Sequence, residues 1–237
     1  MLDMFSTGKE IREANPDTVI LPIGSTEQHG PHLPVATDTL IADMVAAGMA
    51  EKLNAVRLYT IPVTTSMEHR DKKGSVWVTS PVLYQYLEGI LDSLHEQGYK
   101  RVIMVVTHGG VMIANPLTRE INHKYPDMHV VCINPSLFTA EKEIQDLLES
   151  KVVIHACEVE TSLLLYKYPE QVRRELIEDC VPEVSNDYMD YRPIFQYSAN
   201  GVWGSPSFAT AEKGEKILQV MIDKSVALAE EAFRKGF

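Results

Sequence analysis

The chain has 237 residues, of which 45% are hydrophobic, and it carries a formal net charge of -11. This length suits one α/β domain, although a length-based expectation also allows two. Because an acidic surface repels phosphate backbones and anionic lipid headgroups, neither nucleic acid nor a membrane is expected as a partner.

The predicted elements alternate between helices and strands along most of the chain. A short helix is expected near residues 6–14, with Ser6 as its N-terminal cap and Asn15-Pro16 as its end. Residues 18–23 form a continuous apolar run, which is typical of a strand covered on both faces. The further predicted elements are a helix at 38–53, a strand at 56–63, a helix at 81–98, a strand at 101–107, a helix ending near 125, a strand at 129–133, and helices at 141–148, 161–168 and 210–235.

This alternation predicts the fold class. Strands that alternate with helices imply a three-layer α/β/α sandwich with a largely parallel central sheet, here as one domain over residues 1–237. An irregular segment is expected at 178–206. In such folds the ligand site lies beyond the carboxyl ends of the strands. The polar segments that follow residues 23 and 107 both fall on that edge, so we expect them to share one site.

The start of the chain and its cysteines bear on cellular location. The N-terminal segment is polar and of mixed charge, without the features of a signal peptide. No apolar run approaches the roughly 20 residues that a membrane-spanning helix needs. Three widely spaced cysteines, Cys132, Cys157 and Cys180, form no C-x-x-C pair. Disulfides are therefore not expected, and a reducing cytoplasm is the expected location.

A first polar cluster follows the first buried strand. It contains Glu27, His29, His32 and Asp38. Carboxylate and imidazole ligands in a loop at a strand end are typical of zinc, manganese and iron sites. In extended backbone Glu27 and His29 point to the same side. Asp38 opens a helix and could serve only as its N-cap, but the neighbouring Glu27 and His29 favour a bridging metal ligand.

His108 ends the strongly apolar strand at 101–107 and is followed by Gly109 and Gly110. It could be a metal ligand or only a satisfied polar group at the sheet edge, and its own surroundings leave both readings open. The two glycines indicate close approach of the backbone to a ligand, or an anion-binding turn. No glycine-rich nucleotide-binding pattern surrounds them.

A third polar cluster, at residues 155–162, contains His155, Cys157, Glu158 and Glu160. This segment could be extended, and only one of Glu158 and Glu160 is expected to point into the site. Glu158 could instead be a solvated carboxylate or a partner of a helix dipole. Cys157 has no basic neighbour to activate it and is expected to pack as a small residue.

A basic loop precedes the helix predicted at 81–98. Arg70, Lys72 and Lys73 could bind an anionic or hydroxyl-rich substrate, and Trp77 could cover a sugar-like ring. The alternative is a solvated basic loop beside a core tryptophan. The expected substrate-binding residues are Arg70, Lys73, Trp77, Gly109 and Gly110.

Together these clusters resemble the creatininase family, also called creatinine amidohydrolases. The matching segments, in the family's order, are residues 21–34 with Asp38, residues 108–110, residues 155–162 and residues 201–214. The first of them, LPIGSTEQHGPHLP, is the most specific. The resemblance implies the three-layer α/β/α fold, a homo-oligomer that is often a hexamer, and a small-molecule substrate such as a ring amide or a formamide.

The resemblance also implies a centre of two divalent ions, whether zinc, manganese or iron. Position by position, Glu27 and His108 would hold one ion and His29 the other. Asp38 would bridge the two ions. His155 matches a histidine that shuttles protons in the family.

One departure from the family pattern lies beside His108. In the enzyme that gives the family its name, a Tyr-Glu pair follows the matching histidine, and its glutamate contributes to metal binding. This chain has Gly109 and Gly110 at those positions. A ligand of the second ion must then come from elsewhere, and Glu160 is expected to supply it.

Three functions remain open at this point. The first is hydrolysis of a small cyclic amide or formamide by a water that bridges the two ions and deprotonates near neutral pH. His155 or Glu158 would then protonate the leaving nitrogen. The second is hydrolytic ring opening of an oxidised inositol such as 3-dehydro-scyllo-inosose, with cleavage of a carbon–carbon bond, because the family also includes such a hydrolase. The third is a metal-binding scaffold without catalysis.

Overall fold

The central layer of the computed structural model, which describes residues 2–235, is a parallel sheet of four strands. The strands are β1 (Thr18–Ile23), β2 (Val56–Arg57), β3 (Arg101–Val106) and β4 (His129–Ile133). They lie in the order β2-β1-β3-β4, and each neighbouring pair is parallel. This sheet confirms the predicted α/β fold with a parallel central sheet.

Helices cover both faces of the sheet. They are α1 (Gly8–Ala14), α2 (Thr37–Leu53), α3 (Ser80–Glu96), α4 (Ala114–Lys124), α5 (Lys142–Gln145), α6 (Glu158–Lys167) and α7 (Ala211–Lys235). Helices α2, α6 and α7 share one apolar cluster with the sheet, and α3 and α4 share a second. A short antiparallel pair, β5 (Val153–His155) and β6 (Trp203–Gly204), forms a separate sheet. Within residues 2–235, no helix has the length and apolarity that crossing a membrane requires.

Burial on both faces explains the continuous apolar runs of the strands. In β1, Ile20 belongs to the cluster with α2, α6 and α7, whereas Val19 and Leu21 belong to the cluster with α3 and α4. The same alternation separates Ile103 from Met104 in β3. Successive side chains of a strand point to opposite faces, so a strand covered on both sides favours apolar residues at consecutive positions.

The N-cap of the first helix differs from the predicted one, and the second helix has no side-chain cap. Thr7, not Ser6, caps α1: its side chain accepts a hydrogen bond from the Glu10 N–H, and the Glu10 carboxylate accepts one from the Thr7 N–H. This reciprocal pair satisfies two N–H groups that a helix start leaves without partners. Helix α2 has Ala36 as its N-cap, with no side-chain hydrogen bond. Asp38 therefore does not cap α2.

The predicted strand at 56–63 is shorter in the structure. Of the predicted residues, only Val56–Arg57 pair with β1 as a ladder, and Ile61 adds an isolated bridge to Ile23. Pro62 has no N–H to donate, which explains why the chain leaves the sheet after this bridge.

Two later helices also have different bounds. The helix predicted at 141–148 is reduced to α5, whereas the helix predicted at 161–168 begins earlier, at Glu158. The third polar cluster therefore lies at a helix start rather than in an extended segment. The irregular segment predicted at 178–206 is confirmed, because it contains only short 3-10 turns and β6.

Alanine substitutions at two helical glycines should have opposite effects on the free energy of unfolding. A Cβ at Gly214 in α7 would stand 1.9 Å from the carbonyl oxygen of Ser162 in α6, whereas a Cβ at the exposed Gly89 in α3 would meet nothing within 4 Å. Gly214→Ala should lower the free energy of unfolding by about 1–3 kcal/mol, because the two helices must separate. Gly89→Ala should raise it by about 0.5–1 kcal/mol. Chemical denaturation followed by circular dichroism measures both; equal effects would contradict the close α6–α7 contact.

Candidate metal centre

Four of the predicted ligands meet at the edge where the parallel strands end. Glu27 and His29 lie in the loop after β1, and His108 follows β3. Asp38 lies in the first turn of α2. All four side chains are buried. The strand ends thus bring residues that are distant in sequence into one buried site.

Short contacts hold Asp38 at this edge. A Cβ at Gly24 would stand 2.5 Å from the backbone of Thr39, so the end of β1 lies directly against the start of α2. Thr39 Oγ1 donates to the Ser25 carbonyl at 2.7 Å, and Ser25 Oγ donates to Asp38 Oδ2 at 2.7 Å. Thr107 Oγ1 donates to the Asp38 carbonyl at 2.8 Å. These bonds fix the Asp38 carboxylate between β1 and β3.

The two oxygens of Asp38 face two different imidazoles. Oδ1 lies 3.3 Å from His29 Nε2, and Oδ2 lies 3.3 Å from His108 Nδ1. On the His108 side, Glu27 Oε2 lies 3.1 Å from the same Nδ1. On the His29 side, Glu160 Oε1 lies 3.7 Å from Nε2. The site therefore has two halves, with Asp38 common to both.

Backbone carbonyls set the tautomers of the two imidazoles. His29 Nδ1 lies 3.2 Å from the Glu27 carbonyl, and His108 Nε2 lies 2.6 Å from the Thr65 carbonyl. A carbonyl only accepts, so these ring nitrogens carry the hydrogen. The other nitrogen of each ring then presents its lone pair to the carboxylates, as a metal-binding histidine does.

The carboxylates favour positive charge in this buried site. Burial by itself lowers the pKa of His29, but the charges of Asp38 and Glu160 outweigh it and raise this pKa well above its usual range. The pKa of His108 is likewise raised, by Glu27 and Asp38 against burial. Burial would raise the pKa of Asp38, yet the two imidazoles hold it well below its usual range.

The residues present fit divalent ions. Glu27 Oε2 and His29 Nε2 are buried without any hydrogen-bond partner, which is costly for a polar atom unless a ligand satisfies it. The potential ligand atoms of His29, Asp38 and Glu160 lie within 4.8 Å of one another, and those of Glu27, Glu68 and His108 do so too. Nitrogen and carboxylate donors suit zinc, manganese or iron.

Sequence reasoning missed His69 and Gln28. His69 is buried, and its Nε2 lies 3.3 Å from Glu27 Oε1. The Gln28 side-chain amide donates to His69 Nδ1 at 2.9 Å, so His69 donates its own N–H to Glu27. The sequence signal for His69 was the adjacent Glu-His pair at 68–69. This pair lies beside an arginine and two lysines, which favoured the interpretation of the segment as a basic loop.

His155 lies beside the cluster as a neutral ring. Its Nε2 donates to the Gln28 carbonyl at 2.7 Å, and its Nδ1 lies 3.7 Å from Glu27 Oε1. Its ring centroid is 4.2 Å from that of His29. Burial, assisted by the positive charge of His29, lowers the pKa of His155 to about 4. At neutral pH the ring is therefore uncharged, with an unprotonated Nδ1.

Two residues of the predicted clusters have structural partners instead. The buried Glu158 carboxylate accepts hydrogen bonds from the Ser150 N–H at 2.7 Å and from Lys213 Nζ at 2.6 Å. These bonds join α6 to α7 and to the segment before β5. His32 Nε2 lies 2.9 Å from Thr161 Oγ1. The predicted catalytic role of Glu158 conflicts with these contacts, and we leave it out of the catalytic group.

A cavity of about 560 Å³ opens above the cluster. Its wall includes Glu27, His108 and His155. Of the predicted substrate-binding residues, Arg70, Gly109 and Gly110 line it, and Arg70 Nη1 also donates to the Met67 carbonyl at 3.0 Å. Lys73 and Trp77 are exposed and lie outside the lining, so the structure does not bring these two to the cavity.

A parallel sheet with buried carboxylates and imidazoles at its C-terminal edge, beneath an open cavity, defines an α/β protein with a candidate metal centre. Comparison with known proteins gives the family. The chain belongs to the creatininase family, because the profile described as creatinine amidohydrolase matches residues 5–229. It is a creatininase-family hydrolase, as its resemblance to the family implied.

Three relatives show the range of this family. The chain is 27% identical to the 3-dehydro-scyllo-inosose hydrolase of Thermotoga maritima over 248 residues, which cover 92% of this chain and 78% of the relative. It is 30% identical to the mycofactocin precursor peptide peptidase of Mycobacterium tuberculosis over 234 residues, 93% and 87% of the two chains. A crystal structure of creatinine amidohydrolase matches with a TM-score of 0.86 and 24% identity over 98% of each chain, which confirms the fold.

Proposed function

We propose that this chain is a dinuclear-metal hydrolase that cleaves the C–N bond of a small cyclic amide or formamide. The observation that carries the proposal is Asp38, whose two oxygens face His29 and His108 at 3.3 Å each. In a first metal position, Glu27 and His108 would hold one ion. In a second, His29 and Glu160 would hold the other. Asp38 would be shared by both positions.

The chain's own residues would orient the reaction and move its protons. Two bound divalent ions would supply an activated water and polarise the substrate carbonyl. His155 presents a neutral Nδ1 next to the cluster, where it can take a proton and return it to the leaving nitrogen. The backbone carbonyl of Gln28 accepts a hydrogen bond from the Nε2–H of His155 and so fixes the orientation of the ring. His69, held by the Gln28 amide, donates to Glu27 and restricts the motion of that carboxylate.

The cavity supports a small substrate. Its volume of about 560 Å³ lies within the range of small-molecule sites. Met67, Met112 and Leu137 give it apolar wall, against which a ring can pack. The relative named as a peptidase acts on an amide bond, which favours C–N cleavage.

Hydrolytic ring opening of an oxidised inositol is the second candidate. It is favoured by the relative named as 3-dehydro-scyllo-inosose hydrolase and by three polar side chains in the cavity wall. These are Asn186, Asp187 and Asp190, which could bind hydroxyl groups. This reaction would break a carbon–carbon bond and release no amine.

A substrate panel separates these candidates. Metal-loaded protein is incubated with cyclic amides, formamides and cyclic diketones that include oxidised inositols, and amine and acid are quantified by mass spectrometry. We expect equimolar amine and acid from at least one amide. Acid without amine would assign the ring-opening reaction instead. Bound metal without turnover of either class would support the non-catalytic scaffold.

Assembly and location are proposals of the same kind. We propose one domain over residues 1–237 and a homo-oligomer, with a hexamer as the expected size. Exposed apolar side chains such as Leu137, Tyr188 and Tyr191 are compatible with subunit contacts. The three cysteines are unpaired, which supports a cytoplasmic location.

A further inference from the structure

Glu68 lies next to the first metal position, although no sequence pattern assigned it there. It belongs to the 3-10 turn Met67–His69, and its Oε1 lies 3.2 Å from His108 Nε2. Its potential ligand atom lies within 4.8 Å of those of Glu27 and His108. One ion at about 2.1 Å from each atom can span this spacing after small side-chain shifts.

Glu68 is one of the groups that border the glycine at position 110. A Cβ at Gly110 would stand 2.2 Å from Glu68 Oε1, 2.5 Å from His108 Nε2 and 2.7 Å from the Thr65 carbonyl oxygen. Gly110 is not among the glycines of residues 2–235 that adopt a positive φ, so its backbone conformation does not require glycine. Position 110 has no room for a side chain while the Glu68 carboxylate lies beside His108 and the Thr65 carbonyl.

His108 is the charged neighbour of Glu68. The Nε2–H of His108 lies between the Thr65 carbonyl at 2.6 Å and Glu68 Oε1 at 3.2 Å, so Glu68 has at most a share of one hydrogen. In the described part of the chain, 2–235, no lysine or arginine pairs with Glu68, since Arg70 donates to the Met67 carbonyl. An ion at the first metal position would give this carboxylate a second positive neighbour.

The turn that carries Glu68 is fixed to the ends of two strands. Thr64 Oγ1 donates to the Gly24 carbonyl after β1, and Thr65 Oγ1 donates to the Gly110 carbonyl after β3, each at 2.7 Å. His69, the next residue, contacts Glu27. Adjacent side chains of one anchored turn thus reach the same half of the cluster, as a pre-organised ligand requires.

We propose that Glu68 is a protein ligand of the first metal position, together with Glu27, His108 and the shared Asp38. This inference rests on the proposed two-metal centre. It gives the first position four protein ligands and the second position three, namely His29, Glu160 and Asp38.

The test measures Zn²⁺ binding rather than activity. Full-length protein is stripped with a chelator and titrated with Zn²⁺ against a chromophoric competitor, and zinc content after dialysis is measured by elemental analysis. Glu68→Gln keeps the size of the side chain, and Glu68→Ala removes its carboxylate. Asp71→Asn is the matched control, because it makes the same charge change in the same loop at an exposed residue, and asparagine tolerates the positive φ of that position.

We expect two binding steps in the wild type and in Asp71→Asn. In both Glu68 variants one step should weaken by at least about 100-fold, beyond the loss typical of a residue that only orients a ligand. A smaller loss in both variants, with two steps in the wild type, would overturn the role of Glu68 and leave the metal centre intact. Fewer than two steps in the wild type would overturn the two-metal proposal itself. Circular dichroism checks that each variant is folded.

Discussion

Replacing Asp38 with alanine should empty both metal positions. Each carboxylate oxygen faces a different imidazole at 3.3 Å, so one substitution removes a ligand from each position. Elemental analysis of protein purified without chelators or affinity-tag metal should show about two ions per chain in the wild type and almost none in Asp38→Ala. The value of kcat/KM on a substrate from the panel should fall by more than about 1,000-fold, beyond the loss of a single oriented donor.

Two further variants make this result specific. Asp38→Asn keeps the shape that accepts the Ser25 hydroxyl but removes the charge, and it should lose metal as well. Glu51→Gln changes an exposed carboxylate on the same helix and should retain both ions. One tightly held ion in Asp38→Ala would contradict the bridging role. A folded wild-type protein that takes up no metal would favour the scaffold.

Replacing His155 with asparagine should lower kcat by about 100- to 10,000-fold while both ions remain bound. The ring donates Nε2–H to Gln28 and is neutral at pH 7, because burial lowers its pKa to about 4. The side-chain amide of asparagine has no basic nitrogen, so it cannot accept a proton at the position that Nδ1 occupies. The measurement is steady-state kinetics on a substrate from the panel, with zinc content determined on the same samples.

His123→Asn is the matched control for this substitution. His123 is exposed on α4, so its replacement should leave kcat and metal content unchanged. Loss of an ion from His155→Asn would contradict a proton-transfer role and make His155 a metal ligand, which its proximity to Glu27 and His29 would allow. An unchanged kcat would remove His155 from the mechanism.

The sequence predicted the sheet well because the physics of its strands is local. Burial on both faces favours apolar residues along β1, such as Val19 and Ile20, and this leaves a continuous run that can be read directly. The end of β2 could not be read in the same way. Hydrogen bonding, not hydrophobicity, ends the pairing there. Ile61 makes only an isolated bridge, and Pro62 has no N–H to continue it.

The residues of the candidate site also differ in whether the sequence could predict them. Glu27, His29 and Asp38 lie close together in sequence, and His108 ends an apolar strand, so strand topology alone predicts their meeting. Glu68 reaches them only through tertiary bonds of its turn to two strand ends. Such contacts leave no periodic pattern in a sequence.

In the third cluster a helix, not an extended segment, separates the two carboxylates. In an extended segment, residues two apart point to the same side, so Glu158 and Glu160 would lie together. The segment is a helix, in which residues two apart face different ways. Glu160 lies near His29, and Glu158 bonds to Lys213.

The last helix contributes no ligand, yet it determines where one of them lies. Lys213 and Gly214 of α7 hold α6 by the Glu158 carboxylate and by close approach to the Ser162 backbone. Glu160 lies between these two anchor points, on the same helix. A shift of α7 would therefore change the separation of Glu160 from His29, and with it the ionic radius that the second position accepts. Selectivity among ions would in this way depend on a segment about 50 residues from the nearest ligand in sequence.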